Sequence, residues 1–97
     1  MARLEWSHAA RDSLDRMIET HSLPADTRTR VEHSLRHLRR FPLMGREIGG
    51  RGAGTRFLLG PWRWLILVYA YLEDEDRVVV VAVEDGRSST ASDRHRP

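Results

Sequence analysis

Cysteine is absent from the 97 residues, and so is lysine. Without thiols there are no disulfides, no thiolate zinc site and no dithiol redox chemistry. The missing lysines leave all 16 basic side chains as arginine. That choice suits planar, bidentate contact with phosphate, although a GC-rich coding bias explains it more simply. Long apolar runs are missing too. The longest, from Trp64 to Leu72, is far short of a membrane span, and the start Met1-Ala2-Arg3-Leu4-Glu5-Trp6 lacks the apolar stretch of a secretory signal. A cytoplasmic protein with no membrane partner is expected. The length excludes separate substrate and cofactor domains. One domain over residues 1–87 is expected, followed by a disordered tail at 88–97, where no aliphatic side chain exceeds alanine.

What is present is unevenly placed. The net charge of +2 hides a strong segregation, because nine arginines and only two acids, Glu32 and Glu47, fall between Arg28 and Arg63. The stretches on either side are both net acidic. Charge concentrated in this way suits a surface that faces a polyanion or an acidic partner.

Residues 2–6 alternate apolar and polar, the period of a half-buried strand, and Ser7 then offers a helix-capping hydroxyl. From His8 to about Thr20, Ala10, Leu14, Met17 and Ile18 share one helical face. Pro24 suits the first turn of a second helix, whose buried stripe is Val31, Leu35 and Leu38 until Phe41-Pro42 stops it. Arg30, His33, Arg36, His37 and Arg40 fall on the opposite, solvent side. With Arg46 and Arg51 of the following loop, Arg36 and Arg40 are candidate RNA-binding residues. His33 and His37 have the spacing of a metal pair but lack a third ligand, so neither a metal nor another cofactor is expected.

Glycines 45, 49, 50, 52 and 54 make residues 43–54 read as a flexible connection, without the Lys and Ser or Thr of a phosphate loop. Three strands follow at 55–59, 62–72 and 77–84, joined by Gly60-Pro61 and by the acidic turn at 74–76. The expected architecture is α+β, in the order β-α-α-β-β-β. Residues 64–72 are apolar almost throughout and predict a central strand buried on both faces, one of them by a partner. Trp62 and Trp64 alternate with Ile66, Val68 and Ala70, which argues for a core role rather than base stacking.

A strand, a helical hairpin and a three-strand meander in this order resemble the RelE/ParE superfamily of bacterial toxins from type II toxin–antitoxin modules. The carriers are Trp6-Ser7-His8-Ala9-Ala10-Arg11-Asp12-Ser13-Leu14, Phe41-Pro42-Leu43-Met44-Gly45-Arg46-Glu47, Thr55-Arg56-Phe57-Leu58-Leu59-Gly60-Pro61-Trp62-Arg63, and a valine-rich strand ending at Gly86-Arg87. The resemblance implies a cognate antitoxin as partner. It also implies one of two targets: the ribosome and its mRNA, cut by a RelE-like endoribonuclease, or DNA gyrase, inhibited by contact.

RNA cleavage through the 2′-hydroxyl needs an activated oxygen, a stabilised phosphorane and a protonated leaving group. By the resemblance, Arg56, Arg63 and Arg87 match the basic residues that stabilise the phosphate, and Glu47 is the candidate base. Many of the RNases carry a Tyr or His after the last strand, where this chain has Gly86-Arg87-Ser88-Ser89-Thr90. That departure leans toward gyrase, or toward a relative that only binds its antitoxin. The basic second helix and loop lean toward the ribosome, making a translation-inhibiting endoribonuclease the leading expectation.

Overall fold

Ser7 sets the point at which the first strand becomes a helix. Its backbone is extended and its Oγ accepts the Ala10 N–H at 3.0 Å, satisfying a donor that the first turn would leave orphaned. The computed structural model, which describes residues 1–50 and 54–87, accordingly opens with β1 (Arg3–Trp6) and α1 (His8–Thr20). The second helix, α2 (Thr27–Leu35), is anchored by Thr27, whose N–H and Oγ1 both donate to the Pro24 carbonyl. It tightens into a 3-10 turn at Arg36–Arg39 rather than running unbroken to Phe41.

Next come β2 (Arg46–Ile48), β3 (Thr55–Leu59), β4 (Leu65–Leu72) and β5 (Arg77–Asp85). They form one sheet in the order β1-β5-β4-β3-β2, with β1 parallel to β5 and the other pairs antiparallel. The expected meander is therefore β3, β4 and β5. The segment read as a flexible connection contains the additional edge strand β2, three residues too short and too glycine-flanked to declare itself by alternation. β4 starts three residues later than the sequence suggests. Trp62 to Trp64 are spent on the turn, closed by Leu65 N–H to the Trp62 carbonyl at 3.0 Å and Gly60 N–H to the Leu65 carbonyl at 2.8 Å.

The helices cover one face of the sheet. Leu14, Val31, Leu35 and Leu38 pack there against Leu65, Leu67, Tyr69, Val78 and Val80. Burying side chains of this size contributes about 1.5–3 kcal/mol each, the main drive for closing the hairpin over the sheet. On the other face of β4, Val68 is buried, whereas Ile66 and Ala70 are half-buried.

One irregularity matters for the site. The register of β4 on β5 shifts at Val68/Tyr69, so that Val68 pairs with Ala82 but Tyr69 pairs with Val80. Val81 is the extra residue of a β-bulge. Without it Glu84 would point toward the helices; with it Asp85, opposite Leu65, does so.

Candidate functional site

The four residues nominated for chemistry lie at two ends of the sheet. Arg56 pairs in register with Glu47 on one side and with Tyr69 on the other. Its side chain thus points to the helix side, where its Nη1 donates to the carbonyls of Leu43 at 3.1 Å and Gly45 at 2.9 Å. Tyr69 lies beside it, fully buried, and its Oη accepts the Gly45 N–H at 2.8 Å. Burial pushes the Tyr69 phenol up, partly offset by the Gly45 hydrogen bond and the Arg56 charge. Tyr69 is therefore a packed anchor and is not presented to a substrate. Arg56 spends Nη1 on holding the loop that leads into β2.

At the opposite end, Arg63 is exposed in the β3–β4 turn, and among the described residues it makes no hydrogen bond or ion pair. Arg87 follows β5, with its guanidinium carbon 3.9 Å from the centroid of Trp64. Trp64 is stacked with Trp62 and with His21, the residue after α1, at 5.7 Å in each case. The tryptophans thus sit at the margin of the core and carry a cation on an aromatic face.

Asp85 joins these parts. Its carboxylate accepts from the Arg87 N–H at 2.8 Å, from Arg87 Nε at 3.3 Å and from His21 Nε2 at 2.9 Å. Burial pushes the Asp85 carboxyl up, but the bonds from Arg87 and His21, with the Arg87 charge, bring it below its ordinary value. The other imidazole nitrogen, Nδ1, lies 2.9 Å from Thr20 Oγ1, whose own proton goes to the Arg16 carbonyl. Asp85 therefore has three donors on it, and among the described residues the Nη groups of Arg87 have no hydrogen-bond partner.

Sequence reasoning did not bring His21 and Asp85 together. They are 64 residues apart, and their meeting depends on a bulge hidden in an unbroken run of valines.

The arginines nominated for RNA are surface groups wherever they are described. Arg36, Arg40 and Arg46 are exposed, and Arg36 lies between His33 and His37 at 3.4–3.5 Å. Arg51, and the tail expected at 88–97, lie outside the described residues. No helix among the described residues is long and apolar enough to cross a membrane.

Residues 4–89 match the family model of the ParE toxin of the type II toxin–antitoxin system parDE. The chain belongs to this toxin family. Other ParE and RelE proteins share its fold. The chromosomal ParDE system of Pseudomonas aeruginosa gives a TM-score of 0.67 at 12% identity, over 88% of this chain and 96% of that one. The intact RelBE toxin–antitoxin complex of Escherichia coli gives 0.67 at 16%, over 91% and 100%. A YoeB/ParE toxin from Agrobacterium tumefaciens gives 0.68 at 18%, over 86% and 96%. No curated protein matches the chain in sequence. The geometry leaves Arg63 and Arg87 exposed at one end of the sheet and draws Arg56 in toward the loop carbonyls at the other.

Proposed function

We propose that this toxin acts by contact, as a ParE-like inhibitor of DNA gyrase held silent by a cognate antitoxin. The observation that carries the reading is the commitment of Arg56 to two loop carbonyls, at the end of the sheet away from Arg63 and Arg87. Ribonuclease chemistry needs base, phosphate clamp and acid within a few ångströms of one phosphodiester. Here the candidate base Glu47 is opposite Arg56, across the sheet from the two exposed arginines. A surface of Arg63, Arg87 and stacked tryptophans is better suited to gripping a partner, since arginine and tryptophan are the side chains that most often dominate interface energy.

A second reading keeps the endoribonuclease, and one observation favours it. His21 brings an imidazole next to Arg87, near where the sequence lacks a terminal Tyr or His. Its Nε2 is taken up by Asp85 and its Nδ1 lies against Thr20, so proton transfer would require the ring to leave one of them.

Purified toxin added to a gyrase supercoiling reaction and, separately, to ribosomes programmed with mRNA distinguishes the two. Loss of supercoiling with intact mRNA is the expected result. Ribosome-dependent mRNA cleavage that disappears in His21→Ala, with supercoiling unaffected, would overturn the contact reading.

A further inference from the structure

His21 meets an acceptor at each of its ring nitrogens. Thr20 Oγ1 sends its one proton to the Arg16 carbonyl at 2.9 Å, so toward His21 Nδ1, also 2.9 Å away, it can only accept. On the other side Nε2 faces Asp85 Oδ2 at 2.9 Å, and an ionised carboxylate has no proton to give. A neutral imidazole carries one N–H and cannot supply both bonds; it completes the set only if Thr20 turns its proton away from Arg16. The imidazolium completes it as it stands. Trp64, stacked on the ring with centroids 5.7 Å apart and planes 12° from parallel, favours the same charged form.

Arg87 draws on the same two groups. Its backbone N–H and its Nε donate to Asp85 Oδ1 at 2.8 and 3.3 Å, and its guanidinium carbon lies 3.9 Å from the Trp64 centroid. One carboxylate and one indole thus serve two basic side chains. With His21 neutral, the Asp85 charge is matched by Arg87 alone. With His21 protonated that charge is shared, the pull on Arg87 weakens and the two cations repel each other.

The surrounding groups do not blur this exchange. Arg16, which lines the same hollow as Thr20 and His21, keeps its charge at every relevant pH. Asp85 titrates below its ordinary value and stays ionised wherever imidazole changes charge. Glu84, the neighbouring acid on β5, pairs with Ile66 and lies on the opposite face of the sheet, and the β3–β4 turn presents the indole of Trp64.

We propose that His21 is a proton-controlled positioning residue for Arg87: its protonation ties it to Asp85 as an ion pair and releases the Arg87 guanidinium toward an acidic protein surface on the target. This rests on the reading of Arg87 as part of the contact surface, and adds what sets the strength of that contact. Acidification from about pH 8 toward pH 5 strengthens binding, through the added charge and the freer Arg87. The gain is about threefold, because charge pairs near the surface couple weakly.

The test compares the full-length toxin with His21→Gln, whose amide keeps a neutral donor for Asp85 but does not titrate. Nuclear magnetic resonance follows the Arg87 Nε–H and the His21 ring between about pH 8 and pH 5. In the wild type the Arg87 proton should move upfield in step with the His21 ring, as a weakened hydrogen bond requires, and in His21→Gln it should stay still. An Arg87 signal that ignores the His21 titration overturns the proposal. Affinity for purified gyrase, measured without DNA, should rise about threefold more on acidification for the wild type than for His21→Gln. The same pH dependence in both proteins refutes the proposal and leaves the gyrase reading intact. A wild type that binds no gyrase at any pH, yet shows the coupled resonances, refutes the gyrase reading and upholds the control of Arg87 by His21.

Discussion

The two ends of the sheet use the same residue type in opposite ways. At the β2 end, Arg56 is drawn in and directs its Nη1 at two backbone carbonyls, with a buried tyrosine accepting the Gly45 N–H of the same loop. At the other end, Arg63 stands in water and Arg87 lies over Trp64 with only its Nε on Asp85. One arginine is structural because the chain offers it unsatisfied acceptors; the others remain available because it offers them a flat aromatic face and a single carboxylate. Counting arginines along the sequence does not separate these uses. If the contrast is real, substitutions at the first end should cost stability and those at the second should cost function.

The largest stability effect is expected at Gly45. A Cβ there would lie 2.6 Å from Tyr69 Oη, 2.7 Å from Tyr69 Cε1 and 2.8 Å from the Phe57 carbonyl, two of them on a ring that cannot move in a filled core. Gly45→Ala should destabilise by about 2–3 kcal/mol, lowering the thermal midpoint by about 10 °C or more. A midpoint within two degrees of wild type would mean that the loop is not held as described.

Tyr69→Phe comes next. It strands the buried Gly45 N–H and should cost about 1–2 kcal/mol in urea unfolding. Alkali gives an independent check. Because the folded phenol titrates above its unfolded value, its contribution is complete below about pH 10 and is lost as pH rises through the folded pKa. Wild type should therefore lose stability in strong alkali more steeply than Tyr69→Phe.

How much of this was legible in the sequence follows from the range of the interactions. Ser7, the α1 stripe and the strand at Thr55–Leu59 rest on local periodicity and capping, and all were legible. β2 was not, because its three residues become a strand only when Gly45 lets the chain approach Tyr69. The roles of Arg56 and Arg63 were not either, since parity within a strand assigns a face but not the acceptors waiting there. Asp85 was hidden most deeply: an uninterrupted valine run carries no mark of the bulge at Val81 that turns it toward His21.

A smaller effect is expected at that junction. Asp85→Asn weakens the links to His21 and Arg87 at a partly buried site near the surface and should cost about 1 kcal/mol. The folded carboxyl titrates below its unfolded value, so its contribution is present above about pH 4 and lost as pH falls through the folded pKa. Acid unfolding of the variant should start from a lower plateau and depend less on pH; curves that simply run parallel would mean that His21 and Arg87 do not hold the charge.

The smallest stability change is expected where the largest functional one is. Arg63 has no partner among the described residues, so Arg63→Ala should shift stability by no more than about 0.5 kcal/mol. Arg87→Ala loses one surface ion pair and a cation–aromatic contact, about 0.5–1 kcal/mol at an exposed site. Under the contact mechanism both should nevertheless abolish growth arrest on induction. Arg56→Met should show the converse, reduced stability with growth arrest retained as long as the protein remains folded. Arg63→Ala and Arg87→Ala toxins that arrest growth as wild type does would place the toxic surface elsewhere. An Arg56→Met variant that is stable but harmless would return Arg56 to the chemistry and undo the division between the two ends.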